Sequence, residues 1–311
     1  MAPPSDPRIA VDLPHLQGLQ RQARPLSFLP RQPVRSILNG RHASKLKGRG
    51  LNFEELRHYM PGDDIRTIDW KVTARTASPY IRVYTEERDR AAMLVVDQRM
   101  SMFFGSVRNM KSVTAAEAAA IAAHRIRAQG DRVGGIVFTD DAVIEHRPKA
   151  SPRALHRFLG SVAQANMALH AGRQAETRIA LNTPLRATER IVRSGGLVMV
   201  FSDFDAWDED TEKSLSRMAR RNDVILVTVS DPVLETLPET AQLVVSDGGL
   251  QAQIDTRSGE TRAALRSFAT ARLAAMTAFC TRTGIPVLPL SAAEDTLPQL
   301  LRLMGAREMR T

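Results

Sequence analysis

The sequence predicts an α/β protein built on a mostly parallel sheet with flanking helices, preceded by a smaller region of different character. Three observations carry that expectation. From residue 91 onward, short apolar runs alternate with longer stretches of helical periodicity, the pattern of βαβ units. Two of these runs lead directly into an aspartate, Val95-Val96 into Asp97 and Phe201-Ser202 into Asp203. Glycines stand where helical stretches should stop, at Gly130, Gly195-Gly196 and Gly284.

The expected elements follow in order. Strands are predicted over 92–96, 132–138, 197–201, 224–229 and 285–289 from their continuous apolar character. Thr114, with Glu117 three residues on, reads as a capping box opening an alanine-rich helix that ends near Gly130. Further helices are expected over 177–193, 209–221, 259–283 and 293–303. Two stretches, 138–145 and 243–254, place a turn signal between alternating residues and read as antiparallel ribbons. The organisation expected is a basic, partly flexible arm over 1–47, a segment over 48–90 that packs on the main domain, and the α/β domain over 91–311.

Composition narrows the class. With 43% hydrophobic and 25% charged residues, the 311-residue chain has the make-up of a globular protein, and its longest apolar run is far short of a membrane span. Acid and proline near the start argue against a signal peptide, and the lone Cys280 suits a reducing compartment, so a cytoplasmic location is expected. The net charge of +9 is unevenly placed: between Asp12 and Glu54 there is no carboxylate, while Arg21, Arg24, Arg31, Arg35, Arg41, Lys45, Lys47 and Arg49 fall there. Such an arm is either solvated or docks on a polyanion, a nucleic acid or an anionic membrane face to which the protein would be peripheral. No G-x-S-x-G elbow, H-E-x-x-H pair, phosphate-binding loop or G-x-G-x-x-G turn occurs, so no enzymatic activity is expected.

Residues 48–90 carry a denser signal. Gly48, Gly50, Phe53, Arg57, Tyr59, Gly62, Asp63, Asp64, Arg66, Ile68, Asp69, Trp70, Thr73, Ala74, Arg75 and Glu87 fall in one spaced pattern. That pattern resembles the signature of the DUF58 family (domain of unknown function 58). Paired carboxylates here could hold a metal or act as acid and base. The favoured reading is a structural network in which Arg57, Arg66, Arg75 and Arg82 neutralise Asp63, Asp64 and Asp69. Trp70 and Tyr59 are expected as core or interface anchors.

In a parallel sheet, ligands sit beyond the carboxyl ends of the strands, which makes Asp97 and Asp203 rim residues. With Ser101 and Thr177 they offer the oxygen ligands that Mg²⁺ favours. The set is similar to the metal-ion-dependent adhesion site of von Willebrand factor A domains, the fold that the family resemblance implies for the C-terminal part. That site reads D-x-S-x-S in its first loop, whereas here Arg99 replaces the middle serine. An inward guanidinium opposes a cation, so three readings stand together: a bound Mg²⁺, Arg99 in place of the ion, or aspartates serving only as helix caps. The resemblance further implies a non-catalytic adaptor that works with a MoxR-type AAA+ ATPase on a client protein. Nucleic-acid binding through the arm is the alternative, and a metal-dependent hydrolase is disfavoured by Arg99.

Overall fold

The computed structural model of the protein describes residues 6–23, 26, 51–60, 68–76, 78–86, 90–173, 178–234, 242–246, 251–255, 258–259 and 273–304. The chain divides into two compact units, residues 45–89 and residues 1–44 together with 90–311.

The larger unit opens with a short helix, α1 (Leu13–Gly18), before the chain enters the smaller one. The smaller unit contains an antiparallel pair, β1 (Leu51–His58) with β2 (Tyr80–Glu86), and between them in sequence a short helix, α2 (Trp70–Thr76). Asp69 starts α2 by capping it: its Oδ1 accepts the N–H groups of Lys71 at 3.0 Å and Val72 at 3.2 Å. Arg75 lies exposed in the last turn, where a cation complements the helix dipole. Trp70, expected as a core or interface anchor, is 69% exposed. Of the expected network, Asp63, Asp64 and Arg66 lie outside the described residues, and Arg57 and Arg82 are described only through their backbone pairing, with Ile81 and Leu56. Asp69→Ala should lower stability by about 1 kcal/mol through loss of the cap, which a thermal melt would read as a shift of a few degrees.

The core of the larger unit is a six-stranded sheet in the order β5-β4-β3-β6-β7-β10, comprising β3 (Ala91–Asp97), β4 (Arg132–Phe138), β5 (Val143–Lys149), β6 (Leu197–Ser202), β7 (Asp223–Ser230) and β10 (Val287–Ser291). All neighbours are parallel except β5, which returns antiparallel on β4 as the first expected ribbon. The second ribbon is the antiparallel pair of β8 (Gln242–Ser246) and β9 (Gln251–Asp255). Alternation within the central strands explains their continuous apolar character. Ala92, Leu94 and Val96 face one core with Leu197, Met199 and Phe201, while Met93 and Val95 face the other with Val198 and Val200. The first face is covered by α1, α3 (Lys111–Ala128), α4 (Pro152–Met167) and α8 (Thr296–Met304). The second is covered by α5 (Asn182–Ile191), α6 (Glu209–Ala219) and α7, described over 273–283.

Two expectations change here. The helix α3 begins at Lys111 behind Met110, so Thr114 is inside it and buried. Glu117 closes no capping box: its carboxylate takes His15 Nε2 at 2.7 Å on one oxygen and the Thr296 hydroxyl at 2.5 Å on the other. Residues 6–23, expected in a basic arm, instead pack on the core. Asp12 caps α1, Leu16 is fully buried, and His124 Nε2 donates to the Leu16 carbonyl at 3.0 Å. Apolar Val11, Leu16, Leu19 and Leu26 provide the burial that fixes this segment, each such side chain contributing about 1.5–3 kcal/mol when removed from water. Arg31, Arg35, Arg41, Lys45, Lys47 and Arg49 lie outside the described residues. Cys280 is buried in α7, and burial pushes its thiol up to about 12, which suits packing rather than nucleophilic chemistry. Among the described residues, no helix is long and apolar enough to cross a membrane.

Candidate functional site

The order of the sheet reverses between β3 and β6, and in such sheets the crevice beyond the carboxyl ends of those two strands is the ligand position. Asp97 ends β3. By period-2 alternation from Met93 and Val95, it shares a sheet face with Ser202 at the end of β6, and the Ser202 hydroxyl donates to Asp97 Oδ2 at 2.6 Å. After β6 the chain turns through Phe204 at φ 52° and Ala206 at φ 61°, left-handed values that non-glycine residues adopt at a cost of about 1–3 kcal/mol. Local hydrogen bonds hold this turn. Phe204 N–H donates to Ser202 Oγ at 2.9 Å, and Asp205 N–H donates to Asp203 Oδ1 at 3.0 Å.

Arg99 points inward. Its backbone N–H and Nε each donate to Asp97 Oδ1 at 3.0 Å, and Nη2 donates to Oδ2 at 2.7 Å. The guanidinium also reaches the carbonyls of Ile179 at 3.5 Å and Asp205 at 3.4 Å, and lies 5.2 Å from the centre of the Phe138 ring. Both partners are sealed from solvent, with side-chain exposures of 1% for Arg99 and 0% for Asp97. Burial alone would disfavour the charged guanidinium, yet Asp97 and the further carboxylates Asp203 and Asp205 outweigh it and hold the Arg99 pKa above its ordinary value.

Asp203 has its own cation. Lys111, the first residue of α3, places Nζ 2.7 Å from Asp203 Oδ2, and the side chains are 14% and 4% exposed. Burial opposes ionisation of Asp203, but Lys111 overcomes it and lowers the carboxyl to about 2. A third aspartate, Asp140, follows β4 and accepts the N–H of Met100 at 2.7 Å; burial raises its pKa despite that bond. Ser101 Oγ stands 3.5 Å from Asp203 Oδ1, at the outer limit of a hydrogen bond. The loop that follows Ser101 carries exposed Phe104 and Val107, and it is pinned by Ser106 to Asp231 at 2.5 Å and by Asn109 N–H to the Ala292 carbonyl at 2.9 Å.

Asp97, Arg99, Ser101 and Asp203 are therefore brought together, while Thr177 lies outside the described residues. Lys111, Asp140 and Ser202 join them without having been among the expected site residues. Parity along β6 is the signal that points to Ser202, and the strand-end rule applied to β4 points to Asp140. Lys111 is concealed by the capping pattern that puts the start of α3 at Thr114. A hard cation needs open carboxylate and hydroxyl oxygens, whereas here Asp97 and Asp203 each already touch a protein cation. Among the described residues no group of three or more His, Cys, Asp or Glu side chains is arranged to hold a metal ion. Among the described residues, the donor set does not fit a bound Mg²⁺.

The chain is similar in sequence to known proteins. The family model described as "Protein of unknown function DUF58" matches residues 55–275. Uncharacterized proteins of Mycobacterium tuberculosis and Mycobacterium bovis are each 29% identical over 309 residues, covering 98% of this chain and 94% of theirs. Among solved structures, the SpRpn10 VWA domain aligns with a TM-score of 0.37 at 7% identity, over 68% of this chain and 93% of that one. A von Willebrand factor type A protein from Catenulispora acidiphila aligns with a TM-score of 0.32 at 11% identity, over 60% of this chain and 43% of that one. The family match runs from the signature segment through most of the sheet, and the chain belongs to the DUF58 family.

Proposed function

We propose that the protein is a non-catalytic adaptor whose rim, at the carboxyl ends of β3 and β6, docks on a MoxR-type AAA+ ATPase that acts on a client protein during its assembly or maturation. One observation carries this reading: the charged centre of the rim is neutralised from within, and the pinned loop beside it presents apolar Phe104 and Val107 to solvent. A rigid, neutral centre flanked by apolar side chains suits a protein surface better than a reacting substrate. The hydroxyl of Ser101 beside Asp203 is poorly matched to base catalysis, because a carboxyl held at about 2 is a weak proton acceptor near neutral pH. Any ATP hydrolysis would come from the partner.

Tagged wild-type protein and the surface variants Phe104→Asp and Val107→Asp, purified from the native cell with and without chelator, test this proposal. An AAA+ ATPase should accompany the wild type, be lost with either variant, and be indifferent to chelator. Equal recovery with the variants, or nuclease-sensitive nucleic acid in place of the ATPase, would defeat the reading.

A further inference from the structure

The opposite edge of the sheet, where β6 and β7 begin, carries a second concave site. A cleft of about 350 Å³ lies between the ends of α5 and α6, and four of its lining residues are Arg193, Arg217, Arg220 and Arg221. Glu189 is the one carboxylate that lines it. That carboxylate is already engaged by Arg217, whose Nε and Nη2 donate to it at 3.2 and 3.0 Å. Arg193, Arg220 and Arg221 are exposed and form no ion pair among the described residues.

The backbone beneath the cleft is built to a fixed shape. Gly195 adopts φ +72°, and a Cβ on Gly196 would collide with the Val192 side chain and lie 2.9 Å from the Ala91 carbonyl, so both positions require glycine. Gly195 N–H donates to the Arg221 carbonyl at 2.7 Å, and Gly196 N–H donates to Asn222 Oδ1 at 3.0 Å. From below, Arg90 donates to the Gly195 and Gly196 carbonyls at 3.2 and 2.7 Å and pairs with Asp223. The turn that carries Arg193 is thereby clamped to the segment that carries Arg221. Helix dipoles account for a cation at each helix end, as with Arg217 in the last turn of α6. They do not account for four arginines from two helix ends and a turn lining one cleft with a single carboxylate that Arg217 already engages, where like charges repel.

We propose that this cleft binds a multiply charged phosphate group. Guanidinium forks match phosphate oxygens in geometry as well as charge. No aromatic side chain lines the cleft, so it offers a nucleobase no stacking surface and recognises the phosphate itself.

The test uses the full chain with inorganic pyrophosphate in calorimetric titration and with phosphatidic acid vesicles in sedimentation. Arg193→Glu and Arg221→Glu should each weaken binding by about tenfold or more, as expected for lost charge-assisted hydrogen bonds. Arg193→Gln, which keeps the size without the charge, covers the case in which a reversed charge perturbs folding. Arg153→Glu, an exposed arginine of α4 outside the cleft, is the matched control and should change binding little. Pyrophosphate binding with this dependence identifies a soluble phosphate source, whereas vesicle binding alone identifies a lipid headgroup. Absence of both, or an equal loss in Arg153→Glu, would overturn the proposal.

Discussion

Replacing Arg99 with alanine should lower the unfolding free energy at pH 7 by about 3–5 kcal/mol, read from urea unfolding with an unchanged slope. The magnitude follows from what is left behind: Asp97, fully buried, would keep its Ser202 bond but lose the guanidinium, whose Nε contacts both carboxylate oxygens and whose Nη2 contacts one. A surface pair would lose no more than about 1 kcal/mol, so a small effect would show that water reaches this centre. The double variant Asp97→Ala/Arg99→Ala should be less destabilised than the sum of the two single variants, because neither charge is then left alone.

The same position tests the relation to metal. Arg99→Ser removes the competing cation and returns a hydroxyl to the loop between Asp97 and Ser101. Mg²⁺ should then raise the melting temperature of the variant while leaving the wild type unmoved, and chelator should leave the wild type unmoved as well. At a concentration one hundred times its dissociation constant, a ligand that binds only the native state adds about 2.7 kcal/mol, enough to be seen in a melt. Equal Mg²⁺ binding by the two proteins would reject the view that the guanidinium stands in the place of an ion.

How much of the rim is legible in the sequence depends on which physical rule governs each residue. Asp97 and Asp203 are legible because a continuous apolar run that ends in a carboxylate marks the place where a buried parallel strand emerges at the ligand edge of its sheet. The direction of Arg99 is not, since a guanidinium two residues after a strand can turn either way. The bidentate contact, the Phe138 ring and the carbonyls of Ile179 and Asp205 decide it, and all but the first are distant in sequence. At the start of α3, Thr114 and Glu117 satisfy a local capping pattern that tertiary partners override, because Glu117 serves His15 and Thr296 instead. The N-terminal segment obeys the same logic. Charge and proline content describe the arm as an average, while Val11, Leu16 and Leu19 decide the fate of its first part.

Lys111→Met should cost about 3 kcal/mol at pH 7, and the size of that cost should depend on pH in a way that identifies Asp203. In the wild type, Asp203 is held at about 2, below its ordinary value of 3.8, so its stabilising contribution is present above the unfolded pKa and is lost as pH falls through about 2. The difference corresponds to about 2 kcal/mol. Without Lys111 the balance at Asp203 moves toward burial, the largest opposing influence on it, and the folded-state carboxyl should move upward. If it rises above the unfolded value, the native state takes up the proton first. The variant should then gain stability relative to the wild type as pH falls from 7 toward 4, and the gap between their melting temperatures should narrow. A gap that stays constant over that range would mean the loss comes from the packing of the lysine stem against the rim, with Asp203 keeping its charge through Arg99 alone.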